Sequence, residues 1–282
     1  MSDPRGSIAV VQSRAVAREL GLDLPVAEGI ANGIADGEAP PWRLERGPGG
    51  ALALVRPDGV RVAAELAAGR ARSRSTEAAL AGQPLARALG IARLTAALGR
   101  PPRLIDATAG LGVDGWQAAA LGARVTLLER HPVVHALLAD ALSRAHGADD
   151  ARARAIAARI DLERADAVAR LRTLADAPPE ARPELVYLDP MYPPTRRRGR
   201  SRKGIESLHA LVGPQEDDGR ALLGAALGAA TRRVIVKRPA GAPPLAAPPG
   251  VRPDPIEAPN TRWDRYPSGR SAVPPSAGAP FR

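Results

Sequence analysis

The segment Leu185-Val-Tyr-Leu-Asp-Pro-Met-Tyr-Pro-Pro194 is the most chemically loaded stretch of the chain. A short apolar run, which reads as a buried strand, delivers Asp189, Pro190 and Tyr192 to its C-terminal end. An exocyclic amine on a planar base is a poor nucleophile, because its lone pair is delocalised into the ring. The Asp189 carboxylate and the Pro190 carbonyl can accept its two N–H bonds and aim the lone pair at a methyl donor. Tyr192 can stack on the base and fix its plane. Pro190 and Pro193 stiffen the loop that holds them.

A second cluster supplies a nucleoside site. In Asp106-Ala-Thr-Ala-Gly-Leu-Gly-Val-Asp-Gly-Trp116, Gly110, Gly112 and Gly115 match G-x-G-x-x-G in a strand-to-helix turn. Glycines there permit a tight turn and close approach of a ligand to the backbone. The pattern suits a dinucleotide, S-adenosylmethionine (SAM) or an ordinary turn. Glu129 ends the next apolar run, seventeen residues after Gly112. A carboxylate there can accept both hydroxyls of an adenosine ribose, in NAD and SAM sites alike. Asp166 is placed at the end of a third, weaker strand, where it can meet an adenine amino group. The acid and aromatic pair of Asp189 and Tyr192 decides for SAM, since hydride transfer needs neither.

The segment Thr195–Gly204 sets Arg196, Arg197, Arg198, Arg200, Arg202 and Lys203 beside the base-reading loop, where RNA phosphates would lie. Lys237 and Arg238, ending another strand, are expected on the same edge. The whole chain is basic, with net charge +10 over 282 residues and a pI near 11.1, which points to a polyanionic partner. Only Lys203 and Lys237 among the forty Lys and Arg are lysines, a bias that a GC-rich genome also produces. There is no cysteine, so disulfides, thiolate zinc sites and cysteine nucleophiles are excluded. His131, His135, His146 and His209 show no ligand spacing, and no metal is expected. No signal-like segment and no membrane span stands out, so a cytoplasmic protein is expected.

The elements that must position these groups follow from periodicity. Residues 1–100 read as an N-terminal α+β region on the substrate side. Within it, Ala51–Leu66 is a hairpin about Pro57-Asp58-Gly59, Gly69–Ser75 is a basic connector, and Pro84–Gly99 is one helix. Pro101-Pro102 marks a boundary. Strands are expected at Arg103–Thr108, Ala123–Arg130, Arg159–Asp166, Glu184–Pro190 and Arg232–Pro239. Helices alternate with them at Val113–Gly122, Pro132–Ala145, Ala167–Ala175 and Gly219–Ala230. This is an α/β pattern with a parallel, doubly wound sheet, and its ligands belong at the strands' C-terminal ends. One late strand is expected within Asn260–Gly269, and residues 270–282 are expected to be a disordered tail.

These motifs together resemble the ribosomal RNA small subunit methyltransferase J family. DATAGLG, LLERHPVVHALLADAL, VYLDPMYP, LHALVG and VIVKRPAGAPPLA fall in that family's order and spacing, over roughly Leu80–Gly269. The resemblance implies a Rossmann-like SAM-dependent methyltransferase sheet at 101–269 behind the smaller region. It implies guanine-N2 methylation near the 3′ end of 16S rRNA, with the small ribosomal subunit as partner. It also carries cofactor contacts onto Val113 and Asp114, Glu129 and Arg130, Asp166 and Ala167, and Asp189. Val113 departs from the arginine frequent there, so its contact is expected through backbone. Asp166 and Ala167 stand where the family often has serines, and the segment before Pro84 is altered.

The expected reaction is direct transfer of a methyl group to guanine N2. Asp106 and the Gly110–Gly112 turn would hold the methionine end, and Asp189, Pro190 and Tyr192 would orient the amine. The alternatives are methylation of another amine, on DNA or on protein glutamine, a non-catalytic RNA-binding protein, and an NAD-dependent oxidoreductase. Oligomeric state is not legible.

Overall fold

The structure is a computed structural model that describes residues 10–11, 42–47, 49–56, 58–67, 80, 82–190 and 219–268. Met191, Tyr192, the arginine-rich segment 195–204, the connector 69–75 and the tail 270–282 lie outside the described residues.

A small sheet comes first, in the order β1 (Val10–Val11), β2 (Arg43–Arg46), β3 (Leu52–Val55), β4 (Arg61–Val62). The expected hairpin is present. Strands β3 and β4 pair antiparallel, and Gly59 takes the left-handed conformation at φ +80° that the turn requires. The expected single helix is instead two, α1 (Pro84–Leu89) and α2 (Ile91–Leu98). Gly90, at φ +60°, ends the first and begins the second.

The large sheet is built from β5 (Arg103–Asp106), β6 (Arg124–Leu128), β7 (Ile160–Glu163), β8 (Leu185–Leu188), β9 (Arg233–Pro239), β10 (Asp254–Glu257) and β11 (Thr261–Pro267). Between them run α3 (Val113–Ala120), α4 (Pro132–His146), α5 (Ala151–Ala157), α6 (Ala167–Ala175) and α7 (Arg220–Ala229). The strand order is β10-β11-β9-β8-β5-β6-β7. Five strands are parallel, and β11 lies antiparallel between β9 and β10. The chain runs outward from β5 through β6 to β7, then returns to the other side of β5 with β8. The order therefore switches at β5 and β8, where an open sheet of this kind leaves a crevice at its C-terminal ends.

Strand β10 was not foreseen. Its sequence, Asp-Pro-Ile-Glu, is mostly exposed and holds a proline inside the strand, which suits a sheet edge. Helix α5 was also missed, although Asp150 caps it by accepting from the Arg152 amide. Strand β7 stops at Glu163, three residues before Asp166.

Side chains alternate across the large sheet as period two demands. On β8, Leu185 and Tyr187 face the core under α3 and α4, while Val186 and Leu188 face α6 and α7. Leu44, Leu52 and Leu54 of the small sheet join the first of these cores with Leu137 and Leu138. A polar bolt fixes that junction. Asp140 on α4 accepts from Arg46 Nη1 at 2.7 Å, the Leu52 amide at 3.1 Å and Arg144 Nε at 2.8 Å. Burial alone would raise the Asp140 carboxyl, but Arg144, Arg46 and the amide together hold it below its ordinary value. Glu184 is likewise held down, against burial, by Arg100 and Arg103 at the opposite end of the sheet.

Both carboxyls are depressed in the folded chain, so their stability contribution is present above the unfolded values and lost as pH falls through and below about 4. Asp140→Ala should cost about 2–4 kcal/mol in urea unfolding, less than for a fully buried pair because both guanidinium groups keep solvent contact. It should also flatten the acid side of the stability profile.

Candidate active site at the sheet's carboxyl ends

Strand register decides which side chains meet. Asp106 pairs with Tyr187, and Tyr187 pairs with Ile235, so these three lie in one row across β5, β8 and β9. Two residues further along the same face, the next row brings Asp189 beside Lys237. Both rows look toward α3, which carries Asp114 in its first turn.

Lys237 Nζ sits 2.7 Å from Asp114 Oδ2 and 2.9 Å from Asp189 Oδ2. The Tyr187 hydroxyl donates to the same Asp114 oxygen at 2.7 Å. Burial alone would lower the Lys237 ammonium, but Asp114 and Asp189 outweigh it and hold the group firmly protonated. The Tyr187 hydroxyl is pushed well above its ordinary value, first by burial and then by Asp114, so it stays a donor. The Asp189 backbone is held separately, its amide donating to Thr108 Oγ1 at 2.6 Å. Pro190 is buried near Gly219 and the start of α7. Asp189 is thus fixed through backbone and side chain, with the side chain 41% exposed.

The glycine turn and the acid after β6 form one unit. The Gly110 amide donates to Glu129 Oε2 at 3.2 Å, and the His131 amide donates to Oε1 at 2.7 Å. Burial raises the Glu129 carboxyl, and these two amides oppose the shift. Gly110 and Gly112 are left-handed, at φ +52° and +76°. A Cβ at Gly112 would lie 2.6 Å from Leu138 Cδ1, and one at Gly115 would lie 2.3 Å from Leu127 Cδ2. The glycines therefore serve backbone conformation and helix-to-strand packing at once. No side chain caps α3, and Val113 at its start is 37% exposed. A carboxylate for a ribose diol, a tight backbone turn and an open helix N-terminus fit the nucleoside and amino-acid halves of SAM.

Other expected residues are placed differently. Asp106 is 2% exposed, and its Oδ1 accepts from the Thr108 amide at 3.2 Å. Burial first, then Asp114, push its carboxyl up to about 8. Asp106 therefore lies beneath the turn rather than on its surface. Asp166 does not end a strand. It caps α6 by accepting from the Ala169 amide at 2.9 Å, with half-buried Ala167 following. Arg130 is exposed beside Glu129. Lys237 and Arg238 were expected to extend the basic edge. Period two sends them to opposite faces instead, Lys237 into the carboxylate cluster and Arg238, 6% exposed, to the Pro243 carbonyl. Thr108 and Tyr187 were missed. The only signal for Tyr187 was its position two residues before Asp189, on the same strand face. Among the described residues no group of three or more His, Cys, Asp or Glu could hold a metal ion. None of their helices is long and apolar enough to cross a membrane.

A family model described as "Putative SAM-dependent methyltransferase" matches residues 51–268. The ribosomal RNA small subunit methyltransferase J of Thioalkalivibrio sulfidiphilus is 40% identical over 275 residues, covering 95% of this chain and all of that one. The protein of the same name from Alkalilimnicola ehrlichii is 46% identical over 202 residues, covering 70% of this chain and 71% of its own. The chain belongs to the ribosomal RNA small subunit methyltransferase J family. The crystal structure of a SAM-dependent methyltransferase from Neisseria gonorrhoeae matches with 28% identity and a TM-score of 0.63, covering 92% of this chain and 95% of that one. The chain is accordingly a SAM-dependent methyltransferase with the family's Rossmann-like sheet, as its motifs led one to expect.

A carboxyl raised on folding stabilises while protonated. Its contribution is full below about 4, erodes as pH climbs and levels off above the folded value. With Asp106 at about 8, thermal melts without SAM should show wild-type stability declining across that window. Asp106→Asn should gain on wild type from pH 5 to about 8 and level off beyond, by on the order of 1 kcal/mol or more at the upper end.

Proposed function

We propose that this enzyme methylates the exocyclic N2 amine of a guanosine in small-subunit ribosomal RNA, in the cytoplasm. The observation that carries this reading is Asp189. It stands at the end of β8, at the switch in strand order, clamped by Thr108 and Lys237 and partly open to solvent. The relatives' names give the substrate class, and the resemblance to their family gives the target atom.

Glu129 is assigned to the ribose hydroxyls and the Gly110–Gly112 turn with the first turn of α3 to the methionine end. Val113 would contribute through its backbone, while Asp106 supports the turn from beneath through Thr108. Arg130, Asp166 and Ala167 would border the adenine. When bound there, SAM supplies an electrophilic methyl group. Asp189 and the Pro190 carbonyl would accept the two N–H bonds of the amine, orienting its lone pair. The nitrogen gains the methyl carbon, and its surplus proton leaves afterwards, so Asp189 need not be a strong base. Tyr192 is assigned to stacking on the base, and Arg196, Arg197, Arg198, Arg200, Arg202 and Lys203 to RNA phosphates. These rest on the sequence alone. Lys237 already meets Asp189, and Arg238 the Pro243 carbonyl, so this reading leaves those two out of the phosphate-binding set. The region 1–100 would form the substrate side of the methyltransferase domain at 101–269.

Incubation with methyl-labelled SAM and unmethylated small-subunit rRNA or 30S particles, then digestion to nucleosides, should yield labelled N2-methylguanosine. Asp189→Ala should bind SAM with little change and lower the transfer rate by roughly 100-fold or more. Label in a different nucleoside, or transfer by Asp189→Ala at the wild-type rate, would reject the proposal.

A further inference from the structure

We infer that Lys237 is a positioning residue for methyl transfer: its ammonium clamps the Asp189 carboxylate against Asp114 and sets the charge of the amine acceptor. This rests on the reading of Asp189 given above.

The geometry is specific. One nitrogen lies within 3 Å of two carboxylate oxygens that come from different elements, α3 and the end of β8. Asp114 is itself oriented by the Tyr187 hydroxyl, so the clamp is anchored on its far side. The groups facing Lys237 are Asp106 from β5, Asp114 from α3, and Tyr187 and Asp189 from β8. Three of these four are acids, and Lys237 is the cation bound among them. Without it, Asp114 and Asp189 would repel each other, and protonation would relieve the repulsion. A protonated Asp189 could no longer accept two-centre charge-assisted bonds from an amine as well as the carboxylate does.

The residue type supports the same role. In a chain whose cations are almost all arginine, this position is one of two lysines. A compact ammonium can sit between two single oxygens, whereas a planar guanidinium spreads its donors over a wider fork. Lys237 is also 28% exposed at its side chain, near enough to the surface to act on the reacting end of Asp189.

The test compares Lys237→Met and Lys237→Arg with wild type. SAM affinity is measured by calorimetry, and kcat, RNA KM and the pH profile by labelled methyl transfer to small-subunit rRNA. Lys237→Met should keep SAM affinity within about threefold and lower kcat by roughly 100-fold with little change in RNA KM. The acid limb of its kcat profile should move to higher pH, which a purely structural role would not cause. Lys237→Arg, which keeps a cation, should hold the acid limb in place and recover part of the lost rate. If Lys237→Met does not fold, Lys237→Gln carries the same prediction. A neutral variant that binds SAM and turns over at the wild-type rate would overturn the inference. So would an unmoved acid limb, or a folded, SAM-binding Lys237→Arg no better than the neutral variant. Absence of rRNA methylation by the wild-type enzyme would instead reject the function proposed above.

Discussion

A single ammonium group between two carboxylates is the constraint around which the reactive end of this sheet is arranged. Lys237 reaches Asp114 and Asp189 only because three separate choices of backbone agree. Strand β9 must lie beside β8 in the observed register, so that Lys237 falls in the row of Asp189. Helix α3 must start close against α4 and β6, which Gly112 and Gly115 allow by having no Cβ to strike Leu138 and Leu127. Tyr187 must face the same side as Asp189, which period two guarantees. A shift of one residue in β9 would set Val236 or Arg238 opposite Asp189 and turn Lys237 to the other face of the sheet.

The rest of the molecule keeps that register. The two cores on either face of the sheet hold β8 between α3 and α4 on one side and α6 and α7 on the other. The antiparallel pair β10 and β11 extends the sheet beyond β9, so β9 is an interior strand with fixed pairing on both sides. The small sheet is joined to α4 by Asp140, and α4 also lies against Gly112 through Leu138. Stability and chemistry thus share residues. Asp106 illustrates the cost, a buried acid whose carboxyl is raised to about 8 because it sits under the cofactor turn beside Asp114.

The sequence made local signals legible and left three-dimensional ones hidden. The glycine turn, the acid after β6 and the acid after β8 could be read because each directly follows a short apolar run. The parallel alternation was legible for the same reason. Lys237 and Arg238 were grouped with the arginine run because charges adjacent in sequence look alike, yet a strand turns neighbours to opposite faces. Asp166 looked like a strand end, but an acid three residues before a free helix amide is equally a cap, and it is one here. Gly90 inside a helical pattern and Pro255 inside a strand are both local contradictions that tertiary packing resolved, one by dividing the helix and one by placing the strand at an edge. The signal that Lys237 is special was present in its rarity among arginines, and only the register gives that rarity a meaning.

The most direct measurement of the central claim is a crystal structure with S-adenosylhomocysteine and a short small-subunit rRNA fragment. The account predicts a guanine whose N2 lies within hydrogen-bonding distance of the Asp189 carboxylate and the Pro190 carbonyl, with Lys237 still bridging Asp189 and Asp114. A base bound away from the end of β8, or a Lys237 that has left Asp189 to meet a phosphate, would contradict it.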